Sequence, residues 1–312
     1  MSAAGPLALG VYVPQFKTDV TTMVTLARSA EEAGFHSFWV MDHLLTPGAP
    51  PCDTLESWTL LTAVACATAR IRLGHLVGCA PFRHPALLAK MAATLDQVSA
   101  GRLELGLGWG SVESELTAYG FGAASRRERA QALGETLEIL DLMFAGTPFD
   151  YAGDHFTLKG AYGLPRPVQD RIPVHVGGGG RQLTMPLVRR HADWWNCVGS
   201  ARDRLDELAL LRGRARISAQ YAVGVIAEES DRERVSASVA KRLPSAAWGE
   251  PLVGTADELV TSLAREQERG VELAILRFHV TSPDTLAWFG AHVAEPLRTL
   301  PRGAGEVPRG SG

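Results

Sequence analysis

The chain has 312 residues, 46% hydrophobic and 21% charged, and its 31 basic and 34 acidic side chains leave a formal net charge of −3. This composition excludes fibrous, disordered and disulfide-stapled classes, and a mildly acidic balance supplies no electrostatic footprint for a nucleic acid. Apolar runs such as 60–67 fall far short of the roughly 20 residues a membrane span needs, and no basic region followed by a long apolar stretch opens the chain. A cytoplasmic protein without nucleic-acid or membrane partners is expected.

In chain order, short β-branched or apolar runs alternate with longer helical patterns, the signature of βαβ units around a parallel sheet. The first strand is read at Leu7–Val13; its helix is capped by Asp19, carries Met23, Leu26, Ala27, Ala30 and Ala33 on one face and stops at Gly34. Strands two to four follow at Ser37–Met41, Ile71–Val77 and Leu103–Leu107. A long helix runs from Ser125 to Phe144, with Leu133, Leu137, Leu140 and Phe144 at helical spacing and Gly146 at its end. The Gly/Pro/aromatic stretch Thr147–Ile172 is too irregular for a barrel helix and reads as an insertion. The remaining strands are read at Pro173–Val176, Trp194–Val198, Tyr221–Ile226 and Leu273–Phe278, with a second insertion, Glu228–Gly254, after the seventh.

Eight such repeats predict an α/β fold, a (β/α)8 TIM barrel over residues 1–300 with insertions after strands four and seven, because a doubly wound sheet more usually stops at five or six strands. The Gly/Pro-rich residues 301–312 are expected to form a disordered tail. Cys52, Cys66, Cys79 and Cys197 have no C-x-x-C spacing, which predicts buried free thiols and argues against a zinc site.

In such a barrel the chemistry sits where the C-terminal ends of the strands converge on one mouth. The second strand ends in Asp42-His43, the third in His75-Leu76-Val77-Gly78 and the fourth in Gly108-Trp109-Gly110-Ser111, with Glu113 just beyond. After the fifth come Gly177, Gly178, Gly179 and Gly180, then Arg181. Four glycines between a strand and a helix let the backbone approach a ligand closely and offer free N–H groups, so either a phosphate-bearing cofactor or a simple tight turn accounts for them. Neither a G-x-G-x-x-G fingerprint nor a G-x-S-x-G elbow is present, and no H-x-x-x-H or H-E-x-x-H pattern suggests a metal. Of the nine histidines His43 is the functional candidate, because imidazole titrates near neutral pH. Asp42 reads as a structural partner or a cofactor contact. Trp109, Tyr151, Phe156 and Tyr162 either wall a substrate pocket or pack the first insertion, and both insertions are expected to roof the mouth.

These residues resemble the luciferase-like flavin/deazaflavin oxidoreductase superfamily, and most closely its actinobacterial branch dependent on coenzyme F420. The matching stretches are FWVMDHLL (Phe38–Leu45), TLESWTLL (Thr54–Leu61), TARIRLGHLV (Thr68–Val77), the segment Phe82–Gly110, ELTAYGF (Glu115–Phe121) and Pro165–Asn196, and with GTADELVTSL (Gly254–Leu263) and GVELAILRF (Gly270–Phe278) near the end the likeness covers essentially the whole chain. The resemblance implies a non-prolyl cis peptide at Leu76–Val77 against one face of the cofactor ring, Asp42 and His43 beside the ring, and a phosphate-binding loop at Gly177–Arg181. It also implies Leu76, Val77, Gly78, Gly108, Trp109 and Gly110 as cofactor contacts and a homodimer. In the family's sugar-phosphate dehydrogenases a glutamate acts as acid where this chain has Ser111, and an aromatic residue stands where it has Pro47. Glu113 is then either a substitute acid or a carboxylate favoured at a helix start. The expected function is hydride transfer between F420 and a small organic substrate, with His43 moving the coupled proton. The alternative is an FMN-dependent monooxygenase fed by a separate flavin reductase; a third reading is a non-catalytic cofactor-binding barrel.

Overall fold

A computed structural model of the chain describes residues 5–299, so the expected tail at 301–312 lies outside the described residues. Eight parallel strands form the frame: β1 Ala8–Tyr12, β2 Ser37–Val40, β3 Arg72–His75, β4 Leu103–Gly108, β5 Val174–Gly177, β6 Trp194–Cys197, β7 Arg216–Val225 and β8 Val271–Phe278. Consecutive strands pair in parallel, and β8 pairs back onto β1, which closes the barrel. The expected TIM-barrel architecture is therefore what the chain adopts.

Local sequence explains the helices between the strands. Asp19 accepts from the Thr22 amide at 2.8 Å and caps helix Val20–Glu32. Ser125 and Glu128 form a reciprocal capping box at the start of helix Arg126–Ala145, and Gly146 ends it at φ 79°. Alternation along the strands then sorts the core into two zones. Val11, Phe38, Val40, Leu73, Leu105, Val174 and Leu276 face outward and pack on the helices in one continuous cluster. Full burial of each aliphatic side chain of that kind stabilises by about 1.5–3 kcal/mol.

Inside the barrel the two halves differ. Strands β8, β1, β2 and the end of β3 contribute Leu273, Ile275, Tyr12, Trp39, Met41 and Leu76 to an apolar plug. Trp39 leaves no room beside it: a Cβ at Gly74 would lie 2.4 Å from its ring. From β4 to β7 the interior is polar instead, apart from Trp194 on β6, which belongs to the same apolar plug. Glu104 Oε2 is 2.8 Å from His175 Nε2, Asn196 Nδ2 donates to Ser218 at 3.0 Å, and Gln220 donates to Asn196 Oδ1 at 2.7 Å. This network explains why β7 starts at Arg216 and not at Tyr221, because its inward-facing Ser218 and Gln220 break the apolar run that the sequence reading relied on. β3 stops at His75, and the peptide Leu76–Val77 is cis; pairing with β4 resumes at Gly78–Cys79.

The two insertions take different places. Residues 147–172 follow helix 126–145 back to the N-terminal end of the barrel and form a hairpin, Phe149–Ala152 with Thr157–Ala161. Its tip is bound to that helix, the amides of Asp154, His155 and Phe156 donating to the Glu135 carboxylate at 2.8–3.1 Å. Further on, Gln169 donates to Leu103 at the start of β4. The expectation that this insertion roofs the mouth is thus corrected. Tyr151 donates to Glu138 at 2.8 Å and Tyr162 is exposed, so neither walls the mouth, whereas Phe156 packs edge-on against His84 at the start of the helix after β3, on the mouth side of the barrel.

Residues 228–254 do reach it. They form helix Arg232–Arg242, a single turn Ser245–Trp248 and a short strand Leu252–Gly254 that extends the sheet beside β7. Trp248 places its ring 5.8 Å from that of Tyr12 at the top of β1. Of the four cysteines only Cys79 and Cys197 are buried, whereas Cys52 is half-buried and Cys66 exposed. Among the described residues no helix is long and apolar enough to cross a membrane.

Candidate active site

β2 delivers Asp42 and His43 to the rim, and the short helix Glu113–Ala118 after β4 delivers a carboxylate to meet the imidazole. That carboxylate belongs to Glu115, which sequence reasoning missed. Its Oε2 accepts from His43 Nδ1 at 2.7 Å, and Oε1 accepts from the Leu44 and Leu45 amides at 2.6 and 3.2 Å. A carboxylate only accepts, so Nδ1 carries the proton and the tautomer is fixed. Nε2 has no protein partner among the described residues, and the imidazole is 26% exposed while Glu115 is 2% exposed. One nitrogen is thus held and the other faces open space. The only signal in the sequence was that Glu115 opens the ELTAYGF stretch; its burial, with Leu116, in an otherwise exposed helix emerges only from the fold.

Glu113, the carboxylate singled out from the sequence, turns away. It pairs with Arg129 at 3.0 Å and with Arg126 at 3.2 Å, is half-exposed, and is held below the ordinary carboxylate value by hydrogen bonds from those two guanidinium groups. Arg129 also lies 5.5 Å over the Trp109 ring, whose Nε1 approaches Thr184 Oγ1 at 3.4 Å. Trp109 therefore closes the β4 rim against the helix that follows β5.

Asp42 is 3% exposed, and both its oxygens are taken. Oδ1 accepts from Ser57 at 2.7 Å and Arg83 at 3.0 Å; Oδ2 accepts from the Cys79 amide at 2.8 Å and from Arg83 at 2.6 Å. Burial raises its pKa, but His75, Arg83 and Ser57 outweigh burial and hold the carboxyl below its ordinary value. Arg83 is the partner that counts at neutral pH, because burial pushes His75 down to about 4. The structure thus makes Asp42 the anchor tying the ends of β2 and β3 together, one layer behind His43.

The glycines form a ledge across β3, β4 and β5, and their first task is packing. A Cβ at Gly108 would lie 2.8 Å from Val77 Cγ2, one at Gly177 would lie 2.9 Å from Val77 Cγ1, and one at Gly78 would lie 2.9 Å from the Gly106 carbonyl. The Val77 side chain therefore fills the space that Gly108 and Gly177 vacate. Gly110 and Gly178 have φ of 78° and 128°, where other residues are strained. Gly178 is fixed by its amide on Asn196 O at 3.1 Å and its carbonyl on Trp195 Nε1 at 2.7 Å. Among the described residues no acceptor meets the amides of Gly179, Gly180 or Arg181, which precede helix Thr184–His191. The Arg181 side chain leaves this loop to pair with Glu207. Leu76 stays in the apolar plug below the ledge. Among the described residues no group of three or more metal-ligating side chains occurs.

Fold and site together define a parallel α/β barrel whose mouth joins an acid-held histidine to a glycine ledge. A family model described as luciferase-like monooxygenase matches residues 6–249, and the chain belongs to this family. An F420-dependent hydroxymycolic acid dehydrogenase of Mycobacterium tuberculosis (strain ATCC 25618 / H37Rv) is 31% identical over 219 residues, covering 70% of this chain and 56% of that protein. The first relatives matched are covered over 50 to 66% of their own length, so the chain spans between half and two-thirds of those proteins. An F420-dependent secondary alcohol dehydrogenase in complex with an F420–acetone adduct has a TM-score of 0.78 at 19% identity, covering 94% of this chain and 99% of that one. The oxygenating constituent of 3,6-diketocamphane monooxygenase from Pseudomonas putida, in complex with FMN, has a TM-score of 0.77 at 17% identity, covering 95% and 100%. At these identities the two structures establish the fold alone.

Proposed function

We propose that this protein is an F420-dependent oxidoreductase that moves a hydride between the deazaflavin and a small organic substrate. The carrying observation is the rim imidazole, held through Nδ1 by Glu115 with Nε2 free, next to a glycine ledge. Relatives named as F420-dependent at 31–32% identity supply the choice of cofactor.

The residues present fit such a group. The unpaired amides of Gly179, Gly180 and Arg181 are donors suited to a phosphate, and Val77, packed among Gly106, Gly108 and Gly177, offers a firm apolar surface to a flat ring. When bound, the deazaflavin supplies two-electron hydride chemistry. His43 does the proton work: its free Nε2 takes a proton from a substrate hydroxyl during oxidation or returns one during reduction. Glu115 holds the ring in place and stabilises the imidazolium that forms. Trp248 and Tyr12 narrow the opposite side of the mouth and exclude water from it. Asp42 and Arg83 fix the backbone on which His43 sits.

Equilibrium titration of the purified protein with oxidised F420 and with FMN, followed by fluorescence, tests this reading. Micromolar or tighter F420 binding with weaker FMN binding supports it. The reverse preference would favour the second reading, a monooxygenase served by a separate flavin reductase, which the description of the matching family as luciferase-like monooxygenase keeps open.

A further inference from the structure

One cation in the mouth has no part in the chemistry above. Leu273 and Ile275 on β8 point into the barrel, and the two-residue period of a strand turns Arg277 inward as well, one step nearer the mouth. The β1–β8 register pairs Val11 with Leu276, so Arg277 lies beside Tyr12, which faces Trp248. Among the described residues no hydrogen bond or ion pair involves its guanidinium, in contrast to Arg72, Arg83 and Arg102, whose nitrogens are occupied. Burial pulls the Arg277 pKa down; the ionisable groups close enough to act on it are the Tyr12 phenol and Arg242, with no carboxylate among them. Burial pushes Tyr12 up to about 12, so the phenol is neutral and Arg277 is uncompensated at neutral pH.

Arg242 comes from the second insertion and donates to the His279 carbonyl at 3.0 Å, at the end of β8. A half-buried guanidinium beside a second cation, with no hydrogen-bond partner among the described residues, is unfavourable unless an anion joins it. In the closed barrel, β8 stands opposite β4, across the mouth from the glycine ledge.

We propose that Arg277 is a specificity residue that binds a carboxylate of the substrate. The guanidinium fork matches a carboxylate in a bidentate pair; Arg242 is exposed and already donates to the His279 carbonyl, so Arg277 is the one inward-facing guanidinium of the two and balances a monoanion better than a phosphate dianion. The aromatic pair Tyr12–Trp248 then covers the carbon skeleton. The proposal rests on the mouth being the substrate site, but its test needs no cofactor.

The cofactor-free protein is titrated with benzoate, benzamide and phenyl phosphate while tryptophan fluorescence is read. The expected result is benzoate binding at least about tenfold more tightly than benzamide, as for a charge-assisted hydrogen bond. In Arg277→Gln that preference disappears with the melting temperature little changed, and Arg277→Lys keeps part of it. Equal affinity of the wild type for benzoate and benzamide, a preference for phenyl phosphate over benzoate, or a benzoate preference that survives in Arg277→Gln overturns the proposal. A separate F420 titration keeps the two readings apart: failure to bind F420 counts against the cofactor assignment and leaves the benzoate comparison intact. Parallel loss of F420 and benzoate binding in Arg277→Gln would assign the guanidinium to the cofactor and also overturn the proposal.

Discussion

The same chemical pair occurs twice in this barrel with opposite consequences. At the rim, His43 and Glu115 meet at 2.7 Å; in the interior, His175 and Glu104 meet at 2.8 Å. The rim imidazole keeps one nitrogen free and 26% of its side chain exposed, whereas His175 is fully buried between Trp39 and Trp194, and Glu104 is shared with Arg72. A carboxylate thus orients an imidazole in both places, but only the rim pair leaves a lone pair for a reacting proton. His75 completes the series: it is fully buried, lies tilted against Trp58 with ring centroids 4.4 Å apart, and among the described residues neither ring nitrogen has a partner.

Breaking the interior pair should have the largest effect. Glu104→Ala leaves Arg72 and His175 uncompensated and is expected to cost about 3–5 kcal/mol, read as a lower denaturant midpoint. Acid should act on the same link. His175 and Arg72 outweigh burial and depress the folded-state pKa of Glu104, so its contribution is complete above the ordinary carboxylate value of 4.5 and is lost as pH falls further. Glu104→Gln should flatten that acid limb.

At the rim the effect moves from stability to rate. His43→Ala should lower turnover by about 10²–10⁴-fold while F420 affinity and melting temperature stay near wild type. Full turnover in this variant would remove the proton role from His43.

The unpartnered His75 gives the third contrast. Its folded-state pKa is lowered to about 4 from 6.5 by burial, so between these values the unfolded chain binds the extra proton. Stability should fall by about 3 kcal/mol as pH drops through that window, and His75→Phe should remove this sensitivity in urea titrations at pH 7 and pH 4.5. The smallest effect is expected from Glu115→Gln, which keeps an acceptor for Nδ1–H but loses the charge. About tenfold slower turnover with a shifted pH–rate profile would mark Glu115 as a positioning residue, and an unchanged profile would reduce it to a loop support.

Much of the frame was legible in the sequence because most barrel strands contain a short apolar run and the clearest helices carry their own caps; Asp19, Ser125 and Gly146 stand where the sequence places them. The polar interior was not, because an inward-facing Ser218 or Gln220 looks like a loop residue until its neighbours across the barrel are known. The same limit hid Glu115, whose partner lies 72 residues away in the chain. Direction was lost too: composition marks residues 147–172 as an insertion but does not tell that their hairpin runs along helix 126–145, its tip on Glu135. Arg277 sits in a strand that reads as wholly apolar around it, and only the two-residue period turns it toward the mouth.

The packing of Val77 constrains how this site can evolve. Its two methyl groups occupy space that a Cβ at Gly106, Gly108 or Gly177 would need, so these four positions cannot drift independently. An alanine at Gly108 or Gly177 is excluded while Val77 remains and becomes admissible once position 77 is small; Gly106 stays closed in either case, because the His75 carbonyl would lie 1.9 Å from its Cβ. Val77→Gly and Gly108→Ala should therefore be strongly non-additive in a double-mutant cycle, with the pair better tolerated than the alanine alone. A change in the shape of the ledge must pass through position 77 first, which makes that residue the gatekeeper of the order in which the mouth can be remodelled.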